Sequence, residues 1–139
     1  MLISYTSENE LDHAVHFTMY MHKGKENAIP RWELVRRIYG EESVTAETQD
    51  DDNLYDRSVR ASLERWRAQG HHFCNVGGGK GYYVADTREE YEEFKRYYLG
   101  AAYRKLQVTA VMGEMADTRW GRVPKKSSPL QVGMFGGRQ

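Results

Sequence analysis

Arginine dominates the side chains of this chain that could do chemistry. Across residues 56–69, Arg57, Arg60, Ala61 and Glu64, with Ser58 beside them, fall away from Val59, Leu63 and Trp66 on a helical wheel. An arginine on the polar face of such a helix is the commonest reader of guanine in the major groove. Lys80 lies in the glycine-rich turn 77–81, where its ammonium is placed to touch phosphate. Arg57, Ser58, Arg60, Ala61, Glu64 and Lys80 are therefore the candidate contacts to duplex DNA.

Other chemistries fail on spacing. Residues 77–81 lack the G-x-x-x-x-G-K-[ST] order of a phosphate loop, and they join strand to strand rather than strand to helix. His72 and Cys74 share one face of an extended segment, but a zinc site needs three or four ligands, and His13, His16 and His22 offer no obvious set. No third group orients a cysteine–histidine pair. Asp50-Asp51-Asp52-Asn53 lacks the ligand spacing and glycine of a calcium loop. The expectation is a non-enzymatic protein with no metal and no cofactor, in which Cys74 is a small buried apolar residue.

The elements that must position the arginines can be read from period and caps. Ser7 and Glu10 make a capping box for a first helix with Leu11, Ala14, Val15, Thr18 and Met19 on its buried face, widened by Phe17 and Met21 and stopping near Lys23-Gly24. Pro30 opens a second helix that buries Leu34, Val35 and Ile38 and ends at Gly40. Residues 41–55 are too long for a tight turn and carry Glu41, Glu42, Glu47, Asp50, Asp51 and Asp52, so they read as an exposed acidic loop. The arginine helix follows, then two strand-like segments around the glycine turn. Thr87 and Glu90 form a second capping box, opening a helix that runs to about residue 117. Tyr91, Phe94, Tyr98, Ala101, Val108, Met112 and Met115 form one stripe on it, and Leu99, Ala102, Leu106 and Ala110 a second. That is more apolar helix than so small a domain can cover. Part is expected to pack on the first helix and the rest on a second copy, giving a homodimer through residues 88–117.

The 139 residues hold 20 basic and 20 acidic side chains, unevenly spread. Residues 1–56 carry 12 acids and 5 bases; residues 118–139 carry 5 bases and no acid. A neutral total excludes indiscriminate DNA coating but not a local basic face. No apolar run approaches the roughly 20 residues needed to cross a membrane, and residues 1–4 do not read as a signal peptide. A single cysteine forbids an internal disulfide and points to a reducing, cytoplasmic setting. Beyond residue 121 the chain is rich in Gly, Pro, Ser and Lys, the composition of a flexible tail.

The expected fold is mainly α with a small β-hairpin: a winged helix-turn-helix over residues 1–86, a long helix over 87–120 and a flexible basic tail over 121–139. Three stretches resemble the winged-helix domain of biotin-repressor-type regulators: Ile29-Pro30-Arg31-Trp32-Glu33-Leu34-Val35, residues 56–71, and Gly81-Tyr82-Tyr83. Thr87-Arg88-Glu89-Glu90-Tyr91 and Ala116-Asp117-Thr118-Arg119-Trp120 are similar to segments of small winged-helix proteins of phages and prophages. The acidic loop departs from the short turn of that family. The resemblance implies a helix in the DNA major groove, a wing on the backbone, and a bacterial host cell. Gln131-Val132-Gly133-Met134-Phe135 resembles the pentapeptide by which bacterial replication proteins dock on the sliding clamp. That resemblance implies polar contacts from Gln131 and a pocket filled by Met134 and Phe135. Together the two imply a DNA-binding protein acting at the replication machinery. The other readings are a transcriptional regulator, and a protein-interaction or inhibitor module that works through the acidic loop.

Overall fold

The computed structural model describes residues 1–45, 53–77 and 81–124. In chain order the elements are α1 (Glu8–Met19), α2 (Arg31–Tyr39), α3 (Leu54–Ala68), β1 (Phe73–Val76), β2 (Gly81–Val84) and α4 (Arg88–Trp120), with single 3-10 turns at Lys25–Asn27 and Glu41–Ser43. The protein is mainly helical, with one small antiparallel hairpin and a long C-terminal helix, as the sequence predicts. The chain divides into two units, Met1–Leu99 and Gly100–Gln139.

In the first unit α1, α2 and α3 pack mutually. Val15, Met19, Leu34, Ile38, Val59 and Leu63 fill their shared centre. Full burial of a side chain of this size stabilises by about 1.5–3 kcal/mol. Ser7 caps α1 by accepting from the Glu10 amide at 3.2 Å, while the Glu10 carboxylate turns to Thr6, accepting from its amide at 3.1 Å and its hydroxyl at 2.8 Å. Asn53 caps α3 by accepting from the Asp56 amide at 2.8 Å. Gly40 ends α2 at φ 99°, and the Met1 carbonyl passes so close that a Cβ there would lie 2.0 Å from its oxygen. Only glycine tolerates both conditions.

Several expectations are corrected. α1 stops at Met19, short of Lys23-Gly24, because the chain must leave the helix to run along β2. Gly24 donates to the Val84 carbonyl at 2.8 Å, Val84 donates to the His22 carbonyl at 2.8 Å, and Ile29 and Tyr82 exchange both bonds. Phe17 and Met21, expected to widen the buried face, are exposed. The 41–55 segment is not irregular throughout: Glu41–Ser43 form a turn whose Ser43 is buried, donating to the Gly40 carbonyl at 2.6 Å. α3 starts at Leu54, two residues earlier than expected. Residues 46–52 and the acids among them lie outside the described residues.

Antiparallel pairing sets Phe73 opposite Val84 and Cys74 opposite Tyr83. Strand alternation then divides the hairpin between two clusters. Phe73, Tyr82 and Val84 face the helical core, while Cys74 and Tyr83 face Phe94 of α4. The first turns of α4 are therefore held by the hairpin, not by α1 as the stripes suggested. Glu90 accepts from the Asp86 amide at 2.8 Å and the Lys25 amide at 2.9 Å, and Lys25 pairs with Glu93. In the second unit, Gly100–Trp120 continues as helix. Leu106, Val108, Val111, Met112 and Met115 on it are exposed.

Asp12 joins α1 to α3. It accepts from Ser62 Oγ at 2.6 Å and from two nitrogens of Arg65 at 2.7 and 3.0 Å, and its carbonyl accepts from Trp66 Nε1 at 2.8 Å. Burial alone would raise its carboxyl; the bonds from Arg65 and Ser62 outweigh that and hold it below the ordinary value. A carboxyl depressed on folding contributes stability that is present above its unfolded value and is lost as pH falls through the folded one. Asp12→Ala should destabilise by about 1–3 kcal/mol and flatten the loss of stability below pH ~4. Urea titrations of both chains at pH 7 and pH 3 measure this; equal acid sensitivity in the two would refute it.

Candidate nucleic-acid interface

The arginines of α3 divide into two kinds. Arg65 and Arg67 face inward. Arg65 is held by Asp12 and lies 3.4 Å from Glu8. Arg67 donates from Nε to the Phe73 carbonyl at 2.6 Å, pairs with Glu64, reaches Asn75 at 3.3 Å, and stacks over the rings of Phe94 and Tyr98 at 5.1 and 5.7 Å. Both are structural ties, one to α1 and one to the hairpin and α4.

Arg57 and Arg60 face outward. Arg57 and Ala61 are exposed, Ser58 and Arg60 half-buried. Ser58 Oγ donates back to the Leu54 carbonyl at 3.0 Å. Glu64 is exposed, but it is engaged by Arg67 and by the Tyr98 hydroxyl, which donates to it at 2.9 Å. Burial raises Tyr98, and its hydrogen bond to Glu64 and then the Glu64 charge add to that, with Arg67 opposing. The polar surface of α3 is thereby narrowed to its first two turns.

Two residues that were not among the candidate contacts organise that surface. Asp56 is buried, its side chain 4 % exposed, and its two oxygens take one arginine each: Arg31 Nε of α2 at 3.3 Å and Arg60 Nε of α3 at 2.9 Å. Arg31, Arg57 and Arg60 all have further interactions, so none is unengaged. The Asp56–Arg60 half was legible as an i, i+4 pair following an Asn53 cap. Arg31 was not, since only the packing of α2 on α3 brings it there. Tyr82, buried in the adjoining core, is raised first by burial and then by the Asp56 charge, with Arg67, Arg31 and Arg60 opposing.

Cys74 is buried, and burial pushes its thiol up to about 11, so it is a neutral apolar group at physiological pH. His72, expected on the same strand face, precedes β1 and is exposed. His16, Tyr20, Trp66, His71 and Phe73 form an aromatic cluster, with the Tyr20 hydroxyl 2.7 Å from His71 Nδ1. Burial lowers His16, assisted by the neighbouring His71 and His13. Among the described residues no group of three or more His, Cys, Asp or Glu is arranged to hold a metal ion. Lys80 and the tail residues Gln131, Met134 and Phe135 lie outside the described residues.

Compared with protein-family models, curated proteins and solved structures, the chain matches none. Among the described residues no helix is long and apolar enough to cross a membrane.

Proposed function

We propose that this chain is a non-enzymatic winged-helix protein that binds duplex DNA and works at the replication machinery in the cytoplasm of a phage-infected or lysogenic bacterium. One observation carries the DNA reading. Three arginines are not scattered: half-buried Arg31 and Arg60 are gathered from two helices onto one buried carboxylate, with exposed Arg57 on the same first half of α3. A cluster of guanidiniums on the first turns of an exposed helix suits a groove lined with phosphates and guanine acceptors. The wing would add Lys80. The tail would recruit the host clamp through Gln131, Met134 and Phe135, a reading that rests on the sequence of those residues.

In fluorescence anisotropy, the wild-type chain should bind duplex at low salt. Arg57→Ala or Arg60→Ala should cost about 1–3 kcal/mol where the side chain reads a base, and Lys80→Ala should weaken all sequences evenly. A wild-type chain that binds no duplex at low salt would leave the DNA reading without support.

A peptide of residues 127–139 should bind the purified bacterial clamp at around micromolar Kd, since a short segment that orders on binding gives up conformational entropy. Phe135→Ala should abolish that binding and leave DNA affinity intact. If the peptide shows no affinity at about a hundred micromolar, transcriptional regulation becomes the better reading of the same DNA-binding domain.

The apolar side chains exposed on residues 100–120 support a homodimer through α4. Sedimentation equilibrium of the full chain should give two protomers at high micromolar concentration; a monomer there removes the dimer from the proposal.

A further inference from the structure

We infer that the first turns of α4, residues 88–99, are an autoinhibitory strap held closed across the angle between α3 and the hairpin, and that duplex DNA enters that angle only when the strap lifts. This rests on the DNA reading above. The contacts put the strap there. Phe94 packs on Cys74 and Tyr83, the hairpin face turned away from the helical core. The Tyr98 hydroxyl donates to Glu64, on the exposed side of α3, at 2.9 Å. Tyr97 comes so close to the end of β1 that a Cβ on Gly77 would lie 3.2 Å from its ring. The rings of His72 and Tyr91 meet with centroids 5.0 Å apart. One helix thus touches the polar face of α3 and the base of the wing together. Those are the two surfaces a winged helix offers to one duplex.

The strap is lightly held. Of the 33 residues of α4 only Phe94 is buried. The other ties lie at the surface: Tyr98 on Glu64, Lys25 on Glu93, and Glu90 accepting from the amides of Lys25 and Asp86. Exposed ion pairs and hydrogen bonds add little, so an element held this way opens before the core does. The open form is a minor state, because it bares Cys74 and Tyr83. It leaves Phe73, Tyr82 and Val84 in the helical core, and β2 keeps its backbone bonds to His22, Gly24 and Ile29. Asp86 and Thr87, both exposed, join β2 to α4 and give the hinge. Arg67 keeps its bonds to Phe73, Glu64 and Asn75. Lifting therefore uncovers space and the outer face of the hairpin, not a new guanidinium.

Cys74 reports the opening, since it is fully buried against Phe94 in the closed form. In the full chain without DNA, Phe94→Ala should speed the reaction of Cys74 with DTNB about tenfold. It should tighten binding to a mixed-sequence duplex at low salt by the same factor, because both follow the open fraction while that fraction is small. General destabilisation would also speed labelling, but it would not tighten binding. Tyr98→Phe removes only the bond to Glu64. It should move both quantities the same way by less, and it decides the matter if Phe94→Ala does not fold. Spin labels at Ala68→Cys and Arg96→Cys, both exposed positions, in a Cys74→Ala background should move apart when the duplex saturates the chain. A bound duplex that leaves the labels at their free distance overturns the inference and leaves the DNA reading standing. Faster labelling without tighter binding does the same. A wild-type chain with no duplex affinity overturns both.

Discussion

The burial of the hairpin on both of its faces is the constraint on which the rest of the molecule depends. Two short strands alone are at best marginally stable in water. Here Phe73 and Cys74 of β1 and all four residues of β2 are buried, with Phe73, Tyr82 and Val84 against the three-helix core and Cys74 and Tyr83 against Phe94. The link between α1 and α2 adds backbone bonds from Gly24 and Ile29 to β2. The hairpin is thus the middle layer between the helical core and the first turns of α4. Its removal would expose both clusters at once.

Around that layer, two buried or half-buried carboxylates sort the arginines of one helix. Asp12 draws Arg65 toward α1, and Asp56 holds Arg60 beside Arg31 of α2. Arg67 is drawn to the hairpin by the Phe73 carbonyl and to α4 by two aromatic rings. A buried carboxylate without a partner would be costly, so each one commits its arginines to a definite place. The basic surface of α3 is therefore confined to its first turns, and it is smaller than the count of arginines suggests.

The two parts of α4 meet different conditions. Before Leu99 it is anchored by Phe94 on Cys74 of the hairpin and by Tyr98 on Glu64 of α3. From Gly100 the helix carries large apolar side chains in contact with water. Helix propensity and the absence of proline keep the backbone helical through both parts, but propensity decides nothing about what covers the side chains.

The sequence by itself determined the element order, the Ser7 and Thr87 caps, the Gly40 stop, and the apolar faces of α2 and α3. Each of these depends on residues within a few positions of one another, where backbone sterics and cap hydrogen bonds act directly. It also marked Arg57 and Arg60 as outward. It did not foretell the end of α1 at Met19, because that end answers to β2, more than sixty positions further along. The same cause hid the burial of Asp56, the presence of Arg31 beside Arg60, the inward turn of Arg65 and Arg67, and the choice of the hairpin rather than α1 as the seat of α4. Each of those is a contact between distant segments. Hydrophobic pattern says that a face must be covered, whereas only the packed chain, by joining specific surfaces, decides what covers it and which charges are brought together in the process.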